Sequence, residues 1–227
     1  MTAVFIHGAG FTGDAFEGQL KAFPGSRAPN LPGHTTLGAP ASISEYADWT
    51  EQFILEQNLQ DVVLCGHSMG AAVALEMALR GRAALKGVVL LGGGARLRVA
   101  PAILEGMERN FRSGARYIAG FFFADPTEER VDWAVSSMVS VGRDQTLRDY
   151  RACDAFDVLD RLDEISVPLL ALTGEYDKMT PPKYAHALGD RVPGAQARII
   201  PGAGHFVMVE RPEETNALLR TFISGAA

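Results

Sequence analysis

The 227-residue sequence has little cysteine, no cluster of basic residues and no long apolar run, and each shortage removes a class of protein. Two cysteines are too few for a disulfide framework or a metal cluster. Cys65 closes an apolar run and Cys153 sits in a polar stretch, so both are expected as buried or half-buried thiols of a reducing compartment. No run of Lys and Arg offsets the formal net charge of −6 and the pI near 5.4, which argues against a nucleic-acid partner. No apolar run approaches the roughly 20 residues that span a bilayer. The opening "MTAVFIHG" enters an apolar segment without a basic leader and is not expected to be a signal peptide. No membrane span is expected, and a cytoplasmic location is the default. G-x-x-x-x-G-K-[ST] and the Rossmann G-x-G-x-x-G are missing, and no His or Cys spacing suits a metal. Neither a cofactor nor a metal is therefore expected. Internal repeats and low-complexity segments are also missing.

What is present suits one globular domain, with 47% hydrophobic and 21% charged residues. Four short runs read as buried strands: Ala3 to Ile6, Asp61 to Cys65, Gly87 to Leu91 and Pro168 to Thr173. A fifth, Ala197 to Ile200, is weaker. They are rich in Val, Ile and Leu without alternation, as parallel strands covered on both faces should be. Each ends in a Gly-containing turn: "HGAG", "GHSMG", "GGGA", "TGEYD" and "PGAGH". Helices are expected between them. Ser44 to Gln57 opens with Ser-Glu and carries Tyr46, Trp49, Phe53 and Ile54 at helical spacing. Ala71 to Leu79 has only Glu76 among apolar residues and reads as a buried helix, and Glu213 to Ile223 follows Pro212 as an amphipathic one. Strands alternating with helices imply an α/β fold with a mostly parallel sheet.

Residues 95–165 break the rhythm. They hold no convincing strand and contain the aromatic cluster "YIAGFFFADP". An all-helical insertion over the carboxyl ends of the strands is expected, where open α/β sheets bind ligands. The acidic run "DAFDVLDRLDE" alternates with apolar residues and reads as a solvated helix face.

The chemistry starts at Gly66-His67-Ser68-Met69-Gly70, a G-x-S-x-G pattern that follows a predicted strand and opens a predicted helix. A sharp strand-to-helix turn would lift the Ser68 hydroxyl above the sheet, and the helix N-terminus would face developing negative charge. A serine hydroxyl needs a base, and the base needs an orienting group. Asp177, in "GEYDKMTPP", and His205, in "PGAGHFVMVE", each follow a predicted strand and so fall on the same sheet edge as Ser68. Glu175 is the rival acid, nearer its strand. The order Ser, Asp, His is that of the α/β-hydrolases. An acyl-transfer site also needs two N–H donors for the oxyanion. Met69, directly after the serine, and Ala9, in the "HGAG" loop, are the candidates, with His7 bracing that loop. Phe121, Phe122 and Phe206 are candidates for an apolar acyl pocket beside Met107, although aromatic clusters also serve as core.

These residues resemble the α/β-hydrolase superfamily, of the small cofactor-free esterase and lactonase type with a short helical cap. "VFIHGAG", "NLPGHTTLG", "VVLCGHSMGAAVALEMA", "LLALTGEYDKMTPP" and "IIPGAGHFVMVERPEE" match family stretches in order over almost the whole chain. The resemblance implies a core from residues 1–94 and 166–227 with a cap at 95–165. Relatives usually place a strand hairpin before the "HG" strand, which here begins at Ala3. A sheet of about six parallel strands is therefore expected, with the leading antiparallel pair missing. Its outer edge would be exposed or covered by a neighbour, which favours a homo-oligomer. The family's D-x-P-G-H-G loop reads Asn30-Leu31-Pro32-Gly33-His34-Thr35 here. The implied activity is hydrolysis of a small-molecule carboxylic ester of short or medium acyl chain through an ester on Ser68. Lactone, thioester or carbon–carbon bond hydrolysis and hydroxynitrile cleavage stay open on the same triad. A slow-turnover receptor is the alternative of another class.

Overall fold

The computed structural model describes residues 1–81 and 85–225; residues 82–84 and 226–227, which fall in the expected core segments, lie outside the described residues. Along the chain come β1 (Thr2–Ile6), α1 (Glu17–Ala22), α2 (Ile43–Glu56), β2 (Val62–His67), α3 (Met69–Arg80) and β3 (Leu85–Leu91). Then follow α4 (Pro101–Arg109), α5 (Phe111–Ala119), α6 (Glu128–Val141) and α7 (Arg143–Ala155). The chain closes with β4 (Leu169–Gly174), α8 (Pro182–Arg191), β5 (Gln196–Ile200), α9 (Val207–Glu210) and α10 (Pro212–Gly225).

The five strands are all parallel, in the spatial order β1-β2-β3-β4-β5. Strands β2 and β4 are buried throughout and β1 and β3 almost so, which is why their apolar runs do not alternate. The expected count of about six is corrected to five among the described residues. The missing strand is reduced to one residue, Arg27, whose N–H donates to Ala3 O (3.0 Å) and whose carbonyl accepts from Phe5 N–H (2.7 Å). Pro24, Gly25 and Pro29 flank it, and prolines without an N–H cannot extend a ladder. Arg27 thereby partly closes the β1 edge that the sequence left open.

Arg27 and β2 lie on opposite sides of β1, so strand order reverses there. Crevices at such a reversal, outside the strands' carboxyl ends, are where open α/β sheets bind ligands. Helices α2, α3 and α8 pack on one face of the sheet. Helices α1 and α10 pack together on the other, where Gly87 of β3 leaves room for the Phe222 ring. Helix α2 starts earlier than expected: Ser42, rather than Ser44, caps it by accepting from Glu45 N–H (3.2 Å), and Glu45 accepts from Ala41 N–H (2.6 Å) in return.

Between β3 and β4 the chain forms α4–α7, with no strand among the described residues there. This insertion leaves and returns through a narrow neck, in which Val158 N–H donates to Ala95 O (2.8 Å) and Arg96 bridges Asp157. The neck overturns one expectation. "DAFDVLDRLDE" is not one helix face: α7 ends at Ala155, Asp157 belongs to the neck, and a 3-10 turn spans Leu159–Glu164. Backbone pairing at Phe156 and Val158 interrupts the helix that side-chain spacing alone suggests.

Candidate active site

Ser68 stands between the last residue of β2 and the first of α3 at φ 52°, ψ −111°. A non-glycine residue in this region is strained by about 1–3 kcal/mol, and such strain persists only where the surroundings enforce it. Ser68 N–H donates to Leu91 O (3.0 Å), which anchors the turn to β3. The two glycines are required by space: a Cβ on Gly66 would run into Gly70 O, and one on Gly70 into Ile6 O.

Asp177 and His205 follow β4 and β5, and their side chains are paired, with His205 Nδ1 2.9 Å from Asp177 Oδ2. Both are buried. Asp177 Oδ1 accepts from the Met179 and Thr180 N–H groups (2.8 Å each), and Oδ2 also accepts from Thr180 Oγ1 (2.9 Å). Burial alone would raise the Asp177 carboxyl. Its attraction to His205 and its donors at His205 and Thr180 outweigh that and hold it below the ordinary value. Glu175, the rival acid, instead accepts from Gly202 N–H (3.0 Å). With Nδ1 committed to Asp177, Nε2 is the free ring nitrogen. An imidazole held in this way can take a proton from a hydroxyl and return it.

The loop after β1 is a tight turn. Phe11 N–H donates to Gly8 O (3.2 Å), and Gly10 sits at φ +71°. His7 braces it, donating from Nδ1 to Gly8 O (3.0 Å) and accepting from Leu31 N–H at Nε2 (3.0 Å). Burial, and then neighbouring His34, push His7 down to about 3, so it stays neutral. The carbonyl of the Gly8–Ala9 peptide is thus held on one side, which turns the Ala9 N–H to the other. Ala9 and Ser68 line one cavity, while the Met69 side chain is in the core and its N–H opens α3 beside Ser68. As the first residue of its helix, Met69 has no intrahelical acceptor for that N–H.

The cavity measures about 50 Å³ and lies against Gly8, Ala9, His67, Ser68 and His205. Phe122 and Phe206 line it; Phe121 does not, its ring lying 5.2 Å from Tyr117 and beneath Lys178. Met107 is buried away from it. Residues not anticipated from sequence complete the walls, among them Leu97, Val99, Tyr150, Cys153, Met179 and Thr180. Both cysteines are buried and free, and burial pushes both thiols up, away from the reactive thiolate. Hydrogen bonds join the insertion to the histidine loop: His205 N–H donates to Phe122 O (2.7 Å), and Glu210 accepts from Ala124 and Gly204 N–H (2.8 Å each). His67 Nε2 donates to His205 O (3.1 Å), and burial keeps that ring neutral as well. Among the described residues no group of three or more His, Cys, Asp or Glu is placed to hold a metal, and no helix is long and apolar enough to cross a membrane.

A solved structure described as a thermophilic esterase superposes with a TM-score of 0.91 at 32% identity, covering 99% of this chain and 90% of that one. Est816, described as an N-acyl homoserine lactone degrading enzyme, superposes with a TM-score of 0.85 at 25% identity, covering 98% and 93%. A pimeloyl-[acyl-carrier protein] methyl ester esterase of Neisseria meningitidis serogroup B is 27% identical over 241 residues, 97% of this chain and 92% of its own. The sequence pattern of the alpha/beta hydrolase family matches residues 3–218. With its parallel sheet, its serine turn and a match over nearly its full length, the chain belongs to the alpha/beta hydrolase family.

Proposed function

We propose that the chain is a serine esterase acting on small-molecule carboxylic esters, with Ser68 as nucleophile, His205 as base and acid, and Asp177 as the group that orients the imidazole. The observation that carries this reading is the Asp177–His205 pair at 2.9 Å, whose histidine lines the same cavity as a serine held at φ 52°. Ser68 Oγ attacks the ester carbonyl while His205 Nε2 takes its proton. The resulting oxyanion is stabilised by the Ala9 and Met69 N–H groups. Collapse of the tetrahedral intermediate releases the alcohol with the proton from His205 and leaves the acyl group on Ser68. Water then attacks that ester, His205 accepts its proton, and collapse returns the proton to Ser68. Residues 95–165 act as the cap that closes the acyl side.

A cavity of about 50 Å³ has room for roughly four water-sized groups. That size favours short acyl chains over medium ones. The structural likeness to a lactone-degrading enzyme supports small lactones as a second substrate class.

The test is a panel of p-nitrophenyl esters from acetyl to octanoyl, assayed on the wild type and on Ser68→Ala. The expected result is highest kcat/KM from acetyl to butyryl, a decline from hexanoyl onwards, and loss of turnover in Ser68→Ala. Thermal stabilisation by the esters without hydrolysis would replace the enzyme reading with the receptor reading.

A further inference from the structure

A second buried carboxylate accepts as many hydrogen bonds as Asp177 and does not touch the reacting groups. Asp149, on α7 of the insertion, is fully buried, and each of its oxygens accepts from two donors. Oδ1 accepts from Tyr46 OH (2.6 Å) and Gln145 Nε2 (3.0 Å). Oδ2 accepts from His34 Nε2 (2.8 Å) and from the backbone N–H of Gly10 (2.8 Å). His34 is itself held on its other side, where Nδ1 lies 3.2 Å from Pro32 O. Burying a carboxylate is costly, and a network of this kind holds only when every acceptor is filled. Its members come from four separate stretches of chain, and one of them is the turn that carries Ala9.

The Gly10 contact has a specific geometric consequence. In a turn closed by Phe11 N–H on Gly8 O, the Ala9–Gly10 peptide is the central unit, and the turn type depends on which way that unit faces. With Gly10 at φ +71°, its N–H faces Asp149. Met138 and Thr146 of the insertion pack so close to Gly10 that a Cβ there would touch both. His7 fixes one peptide of the turn from the core side, and Asp149 fixes the next from the insertion side.

We propose that Asp149 is a positioning residue for the oxyanion loop: its carboxylate anchors the turn at the Gly10 N–H, one peptide beyond the one that carries the Ala9 N–H, and so keeps the loop in place with that N–H towards the tetrahedral intermediate. This rests on the esterase reading of Ser68. The insertion then sets the rate of the chemical step as well as enclosing the substrate. An Asp149→Asn side chain keeps the shape but has one acceptor oxygen for four donors. The loop is released, while the acyl cavity keeps its walls.

The experiment compares wild type with Asp149→Asn in kcat and KM for p-nitrophenyl acetate and in Ki for phenylboronic acid, which forms a tetrahedral adduct on a nucleophilic serine. Active sites are counted by titration with a fluorophosphonate. The expected result is a roughly tenfold to hundredfold fall in kcat per titrated site, KM within about threefold, and a boronate Ki that rises in step with the loss of kcat/KM. If Asp149→Asn does not fold, Tyr46→Phe, which removes one donor and keeps the ring packing, should show the same parallel change in smaller measure. Normal kcat and Ki per titrated site, in whichever variant folds, overturn the assignment and leave Asp149 a structural residue only. A wild type that neither turns over the ester nor binds the boronate overturns the esterase reading and this inference together.

Discussion

Replacing Asp177 by asparagine should abolish turnover by reversing the imidazole tautomer, and the hydrogen bonds around the carboxylate show how. Oδ1 lies under two backbone N–H donors, those of Met179 and Thr180, whereas Oδ2 faces Thr180 Oγ1 and His205 Nδ1. The asparagine oxygen must stay with the two backbone donors, which cannot turn away. Its amide nitrogen then occupies the Oδ2 place and offers a proton to His205 Nδ1. Nδ1 becomes an acceptor, the ring proton moves to Nε2, and no lone pair remains to take the Ser68 proton. Such an inversion costs about 10,000-fold in kcat, or about 5.4 kcal/mol. Folding should suffer by only about 1 kcal/mol, because Thr180 Oγ1 can rotate to accept from the new amide. The assay is kcat on p-nitrophenyl acetate beside a thermal melt at several pH values. The wild-type carboxyl is held below its ordinary 3.8 in the folded state. Its stabilisation is therefore complete above that pH and is lost as pH falls through the folded value, so the asparagine variant should show a flatter acid limb. A variant that folds normally and retains more than a tenth of wild-type kcat would refute the tautomer argument.

Two further outcomes follow from the geometry. Glu210→Gln leaves one oxygen for two buried N–H donors, those of Ala124 and Gly204. It should lose about 1–3 kcal/mol in denaturant unfolding, with a fall in kcat as the histidine loop loosens. Ser68→Gly and Ser68→Ala should be equally inactive, but the glycine variant should be about 1 kcal/mol more stable by thermal unfolding. Only the Cβ is strained at φ 52°, and the strain is partly offset by glycine's greater freedom in the unfolded chain.

The strands and the serine turn were legible because their cause is local. A buried parallel strand must be apolar on both faces, and a strand-to-helix reversal at Ser68 must have glycines where the chain passes itself. Asp177 and His205 were legible from position along the chain, since each follows a strand and strand ends converge. The cavity walls were not, because Leu97, Tyr150 and Met179 meet there only through the path of the insertion. Asp149 gave no signal either: one acid in a polar helix, it is set apart only by donors contributed by residues 10, 34, 46 and 145. The sixth strand failed for a local reason that composition does show, prolines on both sides of Arg27.

The hydrogen bond from His205 N–H to the Phe122 carbonyl also bears on the order of events in refolding. All five described strands come from residues before 95 and after 165, whereas this contact on His205 forms only when the insertion docks. Activity should therefore return later than the far-ultraviolet signal of the sheet. Trp133, packed against Phe11, Phe123 and Phe206, sits where its fluorescence reports that docking step. A chain caught between the two steps would be folded in outline and chemically silent.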